Sequence, residues 1–227
     1  MARTLNPTTH ALRRDAFVDA ALRLIQAKGY EQLSVEEILV ELGASKGAFY
    51  HYFDSKQALL AAAVDRMVEA ATAAAAATAA DPDRAALDRL ADLFSAITQW
   101  KVARPDLMTG LMDVWLSDAN AIVRDQARRG LQTRLTPMLA AILRQGQAET
   151  VFSCGSPEHA AAILVALMLG LNETASRVFL ARRAGLISFE DVESTVAAYS
   201  EAFERILGLP AGSWPLADSK TLHFWFD

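Results

Sequence analysis

The run SVEEILVELGASKGAFYHYFDSKQALL, residues 34–60, decides the fold. It offers three helix starts with almost no loop between them. Ser34 followed by Glu37 is a capping box: a hydroxyl that accepts from the third helical amide, and a carboxylate that reaches back. Leu33 and Ile38 flank it as a hydrophobic staple. Gly43 stands where a helix ends in a left-handed residue. Ser45 then starts a short helix, and Ser55 starts a long one. Two short helices joined by a tight glycine turn match the helix-turn-helix plan, in which the second helix reads a DNA groove.

Side-chain type separates the faces of this unit. Val35, Ile38, Leu39 and Leu42 form one apolar side, and Phe49 and Phe53 are expected to pin the short helix against it. Ser34, Ser45, Tyr50, His51 and Tyr52 offer hydrogen bonds, and Lys46 and Lys56 offer charge. Gly47 has no side chain to keep a groove wall away. Three consecutive polar aromatics cannot all turn inward from a helix, so at least two must face out.

The surrounding chain reads as helix nearly throughout, with no sustained alternation of apolar and polar residues. The spacing predicts helix 1 over residues 12–28. After the long fourth helix, Asp81-Pro82 is a cap-then-proline start for helix 5. Pro105 opens helix 6, Ser117 caps helix 7 with Pro137 inside it, and Ser156-Pro157 opens helix 8. Ser188 with Asp191 caps helix 9, which ends before Gly208. The expected organisation is all-α: a three-helix DNA-binding domain over residues 1–54, a larger helical body over 55–210, and a tail over 211–227. About nine helices are expected in total. The tail holds LHFWF (222–226), which should dock on the body or on a partner subunit rather than stay in water.

Charge is divided unevenly. The formal net charge is −5. Residues 1–56 hold seven basic and seven acidic groups, whereas residues 57–227 hold fifteen and twenty. The first fourteen residues carry Arg3, Arg13 and Arg14 and no acid. A neutral head with a basic start on an acidic body suits a head that meets phosphate. The single cysteine, Cys154, permits no internal disulfide. The longest apolar run, residues 160–171, is shorter than a bilayer requires, and the N-terminus has no signal-peptide core. A cytoplasmic protein with no membrane segment is expected.

Residues 21–65 closely resemble the N-terminal domain of TetR-family transcriptional regulators. The resemblance rests on K-G-Y at 28–30, S-V-E-E-I at 34–38, G-A-S-K-G at 43–47, F-Y-H-Y-F at 49–53 and S-K-Q-A-L at 55–59. It implies a homodimer formed through helices 8 and 9, a palindromic double-stranded operator, and a body that binds a small effector. Carried over by position, Ser34, Ser45, Lys46, Gly47, Tyr50, His51, Tyr52 and Lys56 are the DNA-contacting set. Ala44 and Ala48 stand where many members carry a polar residue, which shifts the expected work to Lys46 and Tyr50. In the body, Phe94, Trp100, Met108, Met112, Trp115, Met138, Met168 and Phe179 are candidates to line an apolar effector site. Asn172, a polar break in an apolar helix, is a candidate to orient the effector.

Rival classes find little support. No nucleophile elbow, phosphate loop, dinucleotide fingerprint or helical zinc motif is present, so an enzyme is not expected. The histidines at 10, 51, 159 and 223 are scattered, and neither a metal nor a cofactor is implied. A DNA-binding architectural protein without a small-molecule switch is the alternative reading.

Overall fold

The computed structural model describes residues 7–227, with the backbone only at residues 7, 8, 78, 79, 113 and 114. Among them are ten α-helices, one short 3-10 helix and no strand. The chain divides into two compact units, residues 1–70 with 101–127 and residues 71–100 with 128–227.

The first unit contains α1 (Pro7–Lys28), α2 (Val35–Leu42), α3 (Lys46–Tyr52) and the first part of α4 (Lys56–Ala79). It also contains α6 (Pro105–Trp115), the 3-10 turn (Asp118–Asn120) and the start of α7 (Ala121–Ala148). Every serine cap expected between residues 34 and 60 forms. Glu37 N–H donates to Ser34 Oγ at 3.2 Å, and Ser34 N–H donates to Glu37 Oε2 at 3.0 Å. Ser45 accepts from Ala48 N–H and Ser55 from Ala58 N–H. Gly43 closes α2 at φ +57°, a conformation that glycine adopts without steric penalty.

Phe17, Phe49 and Phe53 meet at the centre, with ring centroids 5.7, 5.9 and 6.2 Å apart. All three are buried, together with Ile25, Ile38 and Leu59. Arg66 of α4 bridges Asp15 and Asp19 of α1 on the surface. α1 also packs along α6 with almost no clearance. A Cβ on Gly110 would lie 2.8 Å from the Ile25 carbonyl oxygen and 3.4 Å from Gly29 Cα. Beside this crossing, Tyr30 N–H donates to Gly110 O at 3.2 Å.

The second unit contains α5 (Ala86–Val102) up to Trp100, most of α7, and α8 (Pro157–Arg183), α9 (Phe189–Leu207) and α10 (Ser219–Phe226). Its core includes Leu90, Leu93, Leu139, Leu143, Leu164 and Phe203. The caps of α8 and α9 form at Ser156 and Ser188 as expected. Past Gly208, Glu204 turns its buried carboxylate to the returning chain. It accepts from Gly212 N–H at 2.9 Å and from Trp214 N–H at 2.7 Å. Trp214 thereby packs edge-on against Phe94, centroids 5.0 Å apart.

Several boundaries differ from expectation. α1 starts at Pro7, over a turn earlier than residue 12, because proline at a first helical position leaves no amide unsatisfied. α5 (Ala86–Val102) starts later than Asp81-Pro82 suggested. Asp81 instead accepts from Asp83 N–H in a local turn, and the first amide of α5 donates to Glu149 Oε2 at 2.9 Å. Ser117 makes no side-chain cap, and the 3-10 turn precedes α7. The tail is not loose: Asp218 caps α10, which packs on α8 and α9 of its own chain.

α8 also corrects the expectation that no segment is long and apolar enough to span a bilayer. An 18-residue window of this helix has mean hydropathy 1.5, and 28% of that window is buried. Counting uninterrupted residues understated it, because one polar residue ends a run without lowering the average much. The helix packs against α9, burying Ala161, Leu164, Val165, Met168 and Leu169, while Ile163 stays 52% exposed.

Replacing Phe49 with Ala should cost about 3–5 kcal/mol, the range for emptying a fully buried aromatic site. Thermal denaturation followed by circular dichroism checks this. A loss below about 1 kcal/mol, the scale of surface changes, would mean that the three rings do not hold the unit together.

Candidate nucleic-acid interface

α3 presents one buried residue, Phe49, and an exposed row. Lys46, Gly47, Tyr50 and His51 are exposed, and Lys46 and Tyr50 lie one helical turn apart. Tyr50, 49% exposed, rests edge-on against Phe49 at 5.3 Å, so its hydroxyl stands clear of the core. Ser45 sits at the helix start with its oxygen bound to Ala48 N–H.

Gly47 is informative because the fold does not demand it. A Cβ there would meet nothing closer than Ser45 Oγ at 4.0 Å. Glycine weakens a helix by about 0.5–1 kcal/mol relative to alanine, so keeping it fits close approach of another molecule's surface.

The other predicted residues are placed differently. Tyr52 is half-buried between His10, at 4.7 Å, and Phe17, at 5.7 Å. Of the three polar aromatics, Tyr50 and His51 therefore face out and Tyr52 leans in. His10 also meets His51 at 5.4 Å, a cluster that sequence reasoning missed because the two histidines lie on separate helices. Among the described residues no three potential metal ligands gather. Ser34 spends its hydroxyl on Glu37. Lys56 lies 4.2 Å above the Tyr30 ring, and burial there pushes its ammonium below the usual lysine range. Arg14 lies over Phe53 at 5.2 Å, while Arg3 is outside the described residues.

Glu37 is tied to Lys28, Ser34 Oγ and Ser34 N–H. The Lys28 bond, and then the Ser34 bonds, hold its carboxyl down at about 2. Cations, hydroxyls and amide-rich helix starts are the groups that bind a phosphate backbone, while a short exposed helix can enter a groove.

The nine residues suggested for an effector site do not all fall in one unit. Met108, Met112 and Trp115 belong to the first, and Phe94, Trp100, Met138, Met168, Asn172 and Phe179 to the second. Phe94 packs against Phe203 and Trp214, and Phe179 against Phe226 of α10. Met168 is buried in the core, which Met138 joins at its edge. Trp100 and Asn172 are partly exposed. Trp214 carried no signal beyond its place in the tail. Cys154 is buried, and burial pushes its thiol up, away from reactivity.

Residues 17–63 match the profile of the bacterial regulatory proteins of the tetR family. Residues 17–63 are thus an N-terminal domain of the TetR kind. EthR of Mycolicibacterium smegmatis, an HTH-type transcriptional regulator, is 26% identical over 144 residues, 56% of this chain and 66% of EthR. YuxN of Bacillus subtilis is 56% identical over 43 residues, 19% of this chain and 15% of YuxN. These matches thus span less than two thirds of either relative. RolR, solved in complex with resorcinol, shares the fold at TM-score 0.62 and 16% identity, covering 96% of this chain and 95% of RolR. The matched stretch is therefore a helix-turn-helix of the DNA-binding kind.

The lowered Glu37 carboxyl has a defined pH signature. A carboxylate held down in the fold stabilises it above the ordinary value, near 4.5, and that contribution is lost as pH falls toward 2. Glu37→Gln should therefore melt below the parent at pH 7, with the gap closing between pH 4.5 and 2. Melting curves across that range test this, and a gap independent of pH would mean that Glu37 does not act through its charge.

Proposed function

We propose that the chain is a ligand-responsive repressor that binds a palindromic operator as a homodimer and is released by a small apolar or amphipathic effector. The observation that carries this reading is the exposed row Lys46, Gly47, Tyr50 on a helix whose opposite side is fixed by Phe49. Residues 1–54 are proposed as the DNA-reading domain, residues 55–210 as the effector and dimer domain, and residues 211–227 as the tail. Ser34, Ser45, His51, Tyr52 and Lys56 complete the proposed DNA-contacting set. The setting is proposed as cytoplasmic.

Each of these roles has a physical basis. Lys46 supplies charge to phosphate, and Tyr50 a hydroxyl to phosphate or a base edge. Gly47 lets the backbone approach. Dimerisation is assigned to α8 and α9, because α8 is apolar well beyond what it buries within the chain. Two copies of α3 set about 34–36 Å apart would meet successive major-groove faces. The effector is assigned to the helical body, as supported by the likeness in fold to RolR, whose structure holds resorcinol. Moving an operator from nearly full to nearly empty requires about 5.5 kcal/mol of differential affinity between the two states.

Selection of bound fragments from the source genome by the purified chain should recover one palindromic site. Lys46→Ala and Tyr50→Phe should each weaken that site, by about 1–3 kcal/mol for a lost base-edge contact and less for a phosphate contact. Gly47→Ala should raise the melting temperature yet weaken the site, opposite signs that a merely structural glycine would not give. If selection gave no common site, or if the three variants bound as the parent does, the DNA-reading assignment would fall.

A further inference from the structure

The first unit holds a groove of about 320 Å3 that none of the nine suggested effector residues lines. One wall is the α4 face of Ala58, Ala61 and Ala62, positions three and four residues apart. Because these side chains end at Cβ, the helix surface is recessed there. Arg14 of α1 borders the groove, as do Asp65 of α4 and Gln126 of α7.

Arg14 is the distinctive member. It is exposed, and among the described residues it has no ion-pair partner. The acids nearest it along α1, Asp15 and Asp19, are both taken by Arg66. Its guanidinium lies 5.2 Å above Phe53, the residue that closes α3. The groove therefore joins a cation without an ion pair to an alanine wall, directly beside the exit of the proposed recognition helix.

We propose that this groove binds a small monocarboxylic acid with an apolar body, its carboxylate paired with Arg14. The guanidinium fork matches a carboxylate with two parallel hydrogen bonds. Gln126 can donate a further one, and the alanine wall takes the hydrocarbon part. The volume lies at the small end of ligand sites, which run from about 300 to 1,000 Å3. A carboxylate there competes with Phe53 for the guanidinium, so occupancy is felt at the end of α3. This is a second sensing site, independent of the effector site assigned to the body.

Calorimetric titration of the full chain with hexanoate, benzoate and phenylacetate tests this in the absence of DNA, so its outcome does not depend on the regulatory reading. At least one acid should bind with a Kd of about 1 mM or tighter. Arg14→Gln should weaken it by about tenfold or more, as expected for loss of a charge-assisted pair, and Arg14→Lys should weaken it less. Ala61→Leu, which fills the recess, should abolish binding while Arg14→Gln keeps the parent's melting temperature. Benzamide, the neutral isostere of benzoate, should not compete. The proposal is overturned if no acid binds at about 10 mM, or if Arg14→Gln binds the acids as the parent does. It is equally overturned if Arg14→Gln leaves acid binding intact but weakens operator binding, since Arg14 would then be a phosphate contact.

Discussion

The packing of Phe49 against Phe17 and Phe53 is the contact on which the DNA-facing surface depends. α3 has seven residues, and a helix that short has no independent stability in water. Its shape is set by one ring driven into the core and by serine and glycine caps that leave few backbone groups unpaired. Once that ring is fixed, helical geometry determines where Lys46, Tyr50 and His51 point. The exposed chemistry is therefore a consequence of a buried hydrocarbon contact.

The same logic explains which polar side chains are available and which are spent. Ser34 and Glu37 are occupied in holding α2, and Lys28 is occupied in holding Glu37. Lys56 covers the Tyr30 ring. Among the described residues the Lys46 ammonium and the Tyr50 hydroxyl have no such local partner, and Gly47 gives up helix stability for no internal gain. Residues that the fold does not use are the ones whose chemistry faces outward.

Legibility in the sequence followed the range of the interaction. Ser34, Ser45, Ser55, Ser156 and Ser188 cap helices within three residues of themselves, and each was readable. The start of α5 was not, because its first amide finds Glu149, far along the chain. Trp214 was missed for the same reason: its position is fixed by Glu204 and by a ring on α5. In the interface, helical direction required that at least two of Tyr50, His51 and Tyr52 face out, without telling which. The inward lean of Tyr52 required His10, a residue on another helix. The aromatic and methionine set in the body was compositional, and composition cannot tell a ring that lines a space from one that fills it, as Phe94 does.

The crossing of α1 and α6 has a consequence for anyone building hybrid regulators. At Gly29 and Gly110 two backbones touch directly, so no rotamer can absorb a change in their separation. A fusion that joined residues 1–54 to a foreign body would discard Gly110 and the carbonyl that receives Tyr30 N–H. The transplanted head would then carry an unfilled seam and an unpaired amide into its new host. The portable cassette is the head together with α6, cut where side chains rather than main chains meet.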